Sequence, residues 1–239
     1  MNEADCFSSA AVIIPSLDPD EKLYKVVHEL VTSGFHHIII IDDGSKAENQ
    51  HYFTELQGNK QCTVIHHGEN KGKGRALKTA FSYAKQCFPE IKGVITVDGD
   101  GQHLTKDIIA CGEAMLQEKD ALVLGCRCFE GDNVPSKNAF GNKLTSGLFR
   151  RLFKIDLSDT QTGLRAIPME YLGEFTKIKG ERFEYETNML LQAKRLGIRL
   201  YQQPIETVYD EKSYSTHYNA VKDSWRIFKI MVRYKFSRK

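Results

Sequence analysis

The sequence predicts an α/β fold, a mostly parallel, doubly wound sheet flanked by helices and followed by a C-terminal amphipathic basic helix. Two observations carry this. Short apolar runs alternate with stretches of helical period five times in the first half of the chain, the signature of right-handed β-α-β crossovers. Three of the runs stop at polar or acidic residues: Ala11-Val12-Ile13-Ile14-Pro15, His37-Ile38-Ile39-Ile40-Ile41 before Asp42-Asp43, and Val94-Ile95-Thr96-Val97 before Asp98-Gly99-Asp100. Continuous apolar runs suit strands covered on both faces, and the carboxyl edge of such a sheet is where α/β folds bind ligands.

In chain order, Pro15 ends the first strand and Ser16 to Asp20 form a loop. Leu23, Val26, Val27 and Leu30 mark a helix over 21–32, with Gly34 as its C-cap. The second strand leads through Asp42-Asp43-Gly44-Ser45 into a polar helix over 46–57. Thr63 to His66 is a weaker third strand, followed by Asn70-Lys71-Gly72-Lys73-Gly74 and a helix to about Cys87. After the fourth strand, Thr105 is expected to N-cap a helix to Gln117, and Ala121 to Gly125 form a fifth strand ending at Arg127. Beyond Phe129 the alternation breaks. A polar loop, a helix over 139–153, a short segment Leu164 to Ile167 stopped by Pro168, a helix over 185–195 and a strand near 199–203 are expected to cover the mouth of the sheet. A loop over 210–218 precedes the last helix.

The 239 residues suit one domain with a full core, divided into a half that builds the alternating strands and helices (about 11–128), a half that follows the break in that alternation (about 129–218) and the C-terminal helix (about 219–239). The 33 Lys and Arg nearly balance 31 Asp and Glu, so the composition does not point to nucleic acid. Cys6, Cys62, Cys87, Cys111, Cys126 and Cys128 show no metal-ligand spacing and read as reduced thiols of a cytosolic chain. Met1 to Ala10 has neither the basic residues nor the apolar run of a targeting peptide, and no apolar stretch reaches the roughly 20 residues of a membrane span.

The spacing Asp98-x-Asp100-x-Gln102 allows three side-chain oxygens to meet one hard cation, with Gly99 and Gly101 relaxing the turn; a solvated Asp-Gly turn is the alternative. Lys71 and Lys73, in a glycine-rich turn before a helix, suit phosphates. A dinucleotide fold would carry Gly-x-Gly-x-x-Gly directly after its first strand, where Pro15-Ser16-Leu17 stands, which demotes an oxidoreductase. His103 reads as a residue that supports the acid motif or packs beneath it rather than a base, and His36-His37 and His66-His67 receive no role. Glu184 and Glu186 open a helix, where acids favour the dipole in any case.

Together Ile14-Pro15-Ser16-Leu17-Asp18, Ile41-Asp42-Asp43-Gly44-Ser45, Asn70-Lys71-Gly72-Lys73-Gly74, Asp98-Gly99-Asp100-Gly101-Gln102-His103, Gly125-Cys126-Arg127 and Thr162-Gly163-Leu164-Arg165-Ala166 resemble the family-2 glycosyltransferases of the GT-A fold. The likeness is to their dolichol-phosphate mannosyltransferase and bacterial polyprenyl-phosphate branch, and covers nearly the whole chain. It implies an inverting hexosyltransferase that uses a UDP- or GDP-sugar. Pro15, Ser16, Asp18, Asp42 and Asp43 would hold base and ribose, and Lys71, Gly72, Lys73, Asp98 and Gly99 the diphosphate. Mg2+ or Mn2+ would sit on Asp98, Asp100 and Gln102, with His217 a further candidate ligand. Asp100, Arg127 and Glu186 would serve the chemistry, and Arg127, Lys137 and Asn142 a lipid-phosphate acceptor. Asn138 falls where the family often has a second arginine, and Asp18 replaces its usual asparagine. The rival readings are a transferase with a hydroxyl acceptor in cell-surface polysaccharide synthesis, a sugar-1-phosphate nucleotidyltransferase and a non-catalytic membrane-associated subunit.

In the tail, Val221, Trp225, Phe228 and Val232 recur at helical spacing beside Lys222, Arg226, Lys229 and Arg233. A basic amphipathic helix suits an anionic membrane surface. The expected location is therefore peripheral, on the cytosolic face, with an integral membrane partner as a further candidate anchor.

Overall fold

The computed structural model describes residues 3–127, 136–206, 229–230 and 234. Its first elements are α1 (Glu3–Ser9), β1 (Ala10–Ser16), α2 (Glu21–Ser33), β2 (His37–Asp42), a 3-10 turn (Ala47–Asn49), α3 (Gln50–Gln57), β3 (Cys62–His66), α4 (Lys73–Cys87), β4 (Gly93–Thr96), α5 (Thr105–Gln117) and β5 (Ala121–Arg127). They continue with α6 (Ser136–Phe153), β6 (Arg165–Pro168), α7 (Met169–Thr176), α8 (Glu184–Leu196) and β7 (Arg199–Ile205). The strands form one seven-stranded sheet in the order β3-β2-β1-β4-β6-β5-β7.

The strands β1 to β4 pair in parallel, as continuous apolar runs require. Ile13, Ile39 and Ile41 pack on the layer that contains α4 and α8, whereas Val12, Ile14, Ile38 and Ile40 pack on α2 and α5. Alternate residues thus leave opposite faces into two buried layers. Helix α2 carries the expected apolar positions and ends at Gly34, whose φ of 104° lets its N–H return to the Leu30 and Val31 carbonyls.

Several expectations are corrected. Thr105 is the first residue of α5 and Leu104 its N-cap; the Thr105 hydroxyl instead donates to Glu29 Oε2 at 2.9 Å. The polar helix over 46–57 divides into the 3-10 turn and α3. Helices α1 and α7 were not anticipated; α1 is held by the edge-on contact of Phe7 with Phe35, 5.1 Å between centroids. The largest difference is β6. The short segment expected to cover the mouth of the sheet is an antiparallel strand inside it, with Arg165 paired to Thr96 of β4 and to Leu124 of β5. A four-residue apolar segment fits a cover or a strand equally well, and the choice is made by neighbours far away in sequence.

No helix among the described residues is long and apolar enough to cross a membrane. The expectations for the loop after Arg127, for residues 210–218 with His217, for the tail's apolar stripe and for the side chain of Lys137 lie outside the described residues. Ile230 and Tyr234 are described and pack on the core. The Tyr234 ring meets Phe153 at 5.5 Å, and its hydroxyl donates to the Leu191 carbonyl at 3.0 Å.

Candidate active site

The site grows from the carboxyl ends of β1, β2 and β4. Parallel pairing puts Ser16 opposite Asp42, and the Asp43 N–H donates to the Ser16 carbonyl at 2.8 Å, so Pro15 and Ser16 adjoin the acid pair. Asp42 is 1 % exposed. Its carboxylate accepts from the Ser45 N–H at 2.8 Å, Gln50 Nε2 at 2.9 Å and His66 Nδ1 at 2.9 Å. Burial alone would raise this carboxyl, but those donors hold it below the usual carboxylate range. Asp18, at φ 47°, accepts on Oδ1 from the Lys46 N–H and from Asn49 Nδ2. The two loops are thereby joined.

Asp43 performs the equivalent task toward the glycine-rich turn. Its carboxylate accepts from the Lys71 N–H at 3.0 Å, the Gly72 N–H at 2.7 Å and His67 Nδ1 at 2.7 Å, while His67 Nε2 meets Thr79 Oγ1 at 3.0 Å. Gly72 has φ 99°, and a β-carbon there would strike the Glu181 carbonyl, so only glycine suits this turn. Sequence reasoning offered the carboxylates of Asp42 and Asp43 to a base and a ribose. In the structure their oxygens also accept from protein donors, which ties the neighbouring loops together. His66 and His67, which had no assigned role, are their partners because β3 pairs in register beside β2, with Asp42 opposite His66.

Asp98 lies two residues beyond β4. Its Oδ1 is 2.7 Å from Lys73 Nζ, which also lies 3.2 Å from Glu186 Oε2. Its Oδ2 is 3.6 Å from His103 Nε2. A β-carbon on Gly163 would collide with this carboxylate, and Thr96 Oγ1 donates to the Gly163 carbonyl at 2.7 Å, keeping the bare backbone in place. Burial opposes the charge on Asp98, yet Lys73 and then His103 draw its carboxyl well below the ordinary range. Burial likewise opposes the Lys73 charge, and Asp98 and Glu186 overcome it, raising the ammonium.

Asp100 behaves oppositely. The residue is exposed, yet partial desolvation by the surrounding loop and the neighbouring Asp98 charge raise its carboxyl, although the Gln102 N–H donates to its Oδ1 at 3.1 Å. Two carboxylates that crowd one another, beside a His103 ring whose nitrogens are both buried without a partner, are a donor set that a divalent cation would complete. Among the described residues no group of three or more His, Cys, Asp and Glu forms a ready-made cage. Asp98 and Asp100, with Gln102 the third ligand expected from the sequence, are the residues that would hold the ion.

On the other side, Arg127 grips Asp159, Nε at 2.6 Å from Oδ2 and Nη2 at 3.2 Å from Oδ1, and the Asp159 side chain is fully buried. Asn142, expected on an acceptor, is buried; its amide donates to the Ser158 carbonyl and accepts from the Thr160 N–H, on either side of Asp159. Arg165, 1 % exposed, donates from Nε to the Thr162 carbonyl and from Nη1 to the Glu186 carbonyl at 2.8 Å. It braces the first turn of α8, where Glu186 faces Lys73. Nothing in the local pattern around Asp159 announces its pairing, which spans 32 residues.

A mostly parallel sheet with an acid pair at its carboxyl edge and an antiparallel strand beside it defines a GT-A type transferase fold. The sequence pattern described as "Glycosyl transferase family 2" matches residues 11–193, and the chain belongs to that family. Two archaeal relatives are each 28 % identical. One is an uncharacterised protein of Methanocaldococcus jannaschii, matched over 93 % of this chain and 90 % of its own. The other is the UDP-N-acetylglucosamine--dolichyl-phosphate N-acetylglucosaminyltransferase of Methanococcus voltae, matched over 84 % and 86 %. Among solved structures, glucosyl-3-phosphoglycerate synthase of Mycobacterium tuberculosis, in complex with phosphoglyceric acid, superposes with a TM-score of 0.71 at 15 % identity, over 99 % of this chain and 82 % of that one. The same enzyme with Mn2+, UDP and phosphoglyceric acid gives 0.69 at 15 % identity, over 99 % and 81 %. Mannosyl-3-phosphoglycerate synthase of Rubrobacter xylanophilus gives 0.66 at 17 %, over 96 % and 73 %.

Proposed function

We propose that this glycosyltransferase moves a hexose from a nucleoside diphosphate sugar to a lipid phosphate at a membrane surface, with inversion at the anomeric carbon. The observation that carries the reading is the convergence of Lys73, Asp98 and Asp100 beside the turn that Asp43 holds. The Methanococcus voltae relative, whose name specifies a dolichyl-phosphate acceptor, supports the choice of acceptor.

A divalent cation held by Asp98 and Asp100 would supply charge that stabilises the departing nucleoside diphosphate. Lys73 adds a fixed positive charge beside the same leaving group, and Glu186 holds the ammonium in place. Asp43 orients the Lys71 and Gly72 amides, and the N-terminus of α4 contributes positive potential toward the phosphates. A phosphate monoester is largely ionised at neutral pH, so the acceptor oxygen attacks without a general base. Arg127, aimed by Asp159, supplies the guanidinium for that phosphate. The basic tail contributes membrane attraction of about 1 kcal/mol for each charge near an anionic surface.

The test is incubation with labelled UDP- and GDP-sugars, Mg2+ or Mn2+, and dolichyl or polyprenyl phosphate. Label in the organic phase is the expected result. A water-soluble glycoside would move the acceptor to a hydroxyl compound, and a sugar nucleotide formed from sugar-1-phosphate would replace the reading with nucleotidyl transfer.

A further inference from the structure

We propose that the His103 imidazole is a ligand to the divalent cation held by Asp98 and Asp100, an inference that rests on the metal-dependent reading above. The His103 side chain is only 8 % exposed, and neither ring nitrogen has a hydrogen-bond partner. A buried polar group left unsatisfied is costly, so a residue that merely packed here would be better replaced by an apolar one. An imidazole has two ring nitrogens to satisfy, and among the described residues the polar group set against them is the Asp98 carboxylate, too far for a hydrogen bond.

The unclaimed ring is aimed at the acid pair. His103 Nε2 lies 3.6 Å from Asp98 Oδ2, beyond hydrogen-bond distance. Two ligands of a cation that stands about 2.1 Å from each are at most about 4.2 Å apart, so these atoms can share one ion without rearrangement of the backbone. The other oxygen of Asp98 faces Lys73, which leaves the His103 side of the carboxylate for the ion. Gly101, at φ 76°, turns the chain between the acid motif and His103, and the Asp100 charge lies near enough to the His103 ring and to Asp98 to be felt by both. An imidazole nitrogen also favours a transition metal over Mg2+, so His103 gives the site a preference that Asp98 and Asp100 alone would lack.

The test is pulsed electron paramagnetic resonance of Mn2+ bound to the full chain, with UDP in one arm and GDP in another. In the native protein the expected spectrum contains a nitrogen coupling that changes when histidine is labelled with 15N. His103→Gln should remove that coupling, weaken Mn2+ binding by about tenfold or more, and narrow the preference for Mn2+ over Mg2+, whereas His217→Ala should retain the coupling. The native spectrum is informative even if the variant fails to fold. Bound Mn2+ without histidine coupling, or a coupling that survives His103→Gln but is lost in His217→Ala, overturns the inference and leaves the transferase reading intact. Failure of the native chain to bind Mn2+ with either nucleotide overturns both.

Discussion

Lys73 Nζ stands 2.7 Å from Asp98 Oδ1, so the first residue of α4 neutralises the first acid of the Asp98-x-Asp100 motif beyond β4. Lys73→Met is expected to leave Asp98 and Glu186 facing one another uncompensated. The metal-free protein should lose about 1–3 kcal/mol, less than for a fully buried pair because Asp98 retains solvent. Added Mn2+ should recover part of that stability, while turnover with saturating donor falls about a hundredfold or more. Melting curves with and without Mn2+, beside kcat, check both halves.

Asp100→Asn separates stability from activity. A carboxyl raised in the folded state contributes stability only at low pH and loses it as pH rises through the folded value, so at neutral pH ionised Asp100 is unfavourable in the metal-free fold. The substitution is therefore expected to leave the melting temperature unchanged or slightly raised at pH 7, while metal-dependent turnover disappears. Full activity of this variant, or of the native enzyme in excess EDTA, removes the metal from the mechanism.

Arg127→Ala would strand a buried Asp159 charge, at a cost of about 3–5 kcal/mol. Its effect on the acceptor cannot be read from the single variant. The double variant Arg127→Ala with Asp159→Asn removes the stranded charge and should recover most of the stability, with acceptor KM still raised and nucleotide affinity near native. A double variant that uses the acceptor normally confines Arg127 to a structural task.

Acid should weaken the fold through Asp42 and Asp98, whose carboxyls lie below the usual range. A depressed carboxyl stabilises above its unfolded value of about 3.9 and loses that contribution as pH falls through the folded value. Melting temperature should drop below about pH 4, and Asp42→Asn should flatten this limb while lowering the plateau near pH 7. An acid limb unchanged in this variant sinks the assignment to Asp42.

For the tail, Trp225 is the chain's one tryptophan and an internal reporter. Its emission is expected to shift to the blue with anionic vesicles, to revert with salt, and to remain unchanged with neutral vesicles. Deleting the last ten residues would be a poor control, because Ile230 and Tyr234 pack on the core. Charge reversal at Lys235, Arg238 and Lys239 is the cleaner one. No shift with anionic vesicles at low salt removes the tail as the anchor.

The sequence by itself determined the alternation of strands and helices and placed the Asp98, Asp100 motif at a strand's carboxyl end. Both are local properties: an apolar run that needs cover on two faces, and a polar stop where the chain leaves the sheet. Tertiary structure decided who partners whom. His66 and His67 became supports of Asp42 and Asp43 only through the register of β2 with β3, 24 residues apart along the chain. Likewise β6 entered the sheet because β4 and β5 both left it an edge, which brought Arg165 to the root of α8 and Gly163 against Asp98. Such pairings follow from strand order and register, which depend on the packing of both faces at once, and no local pattern of residues encodes them.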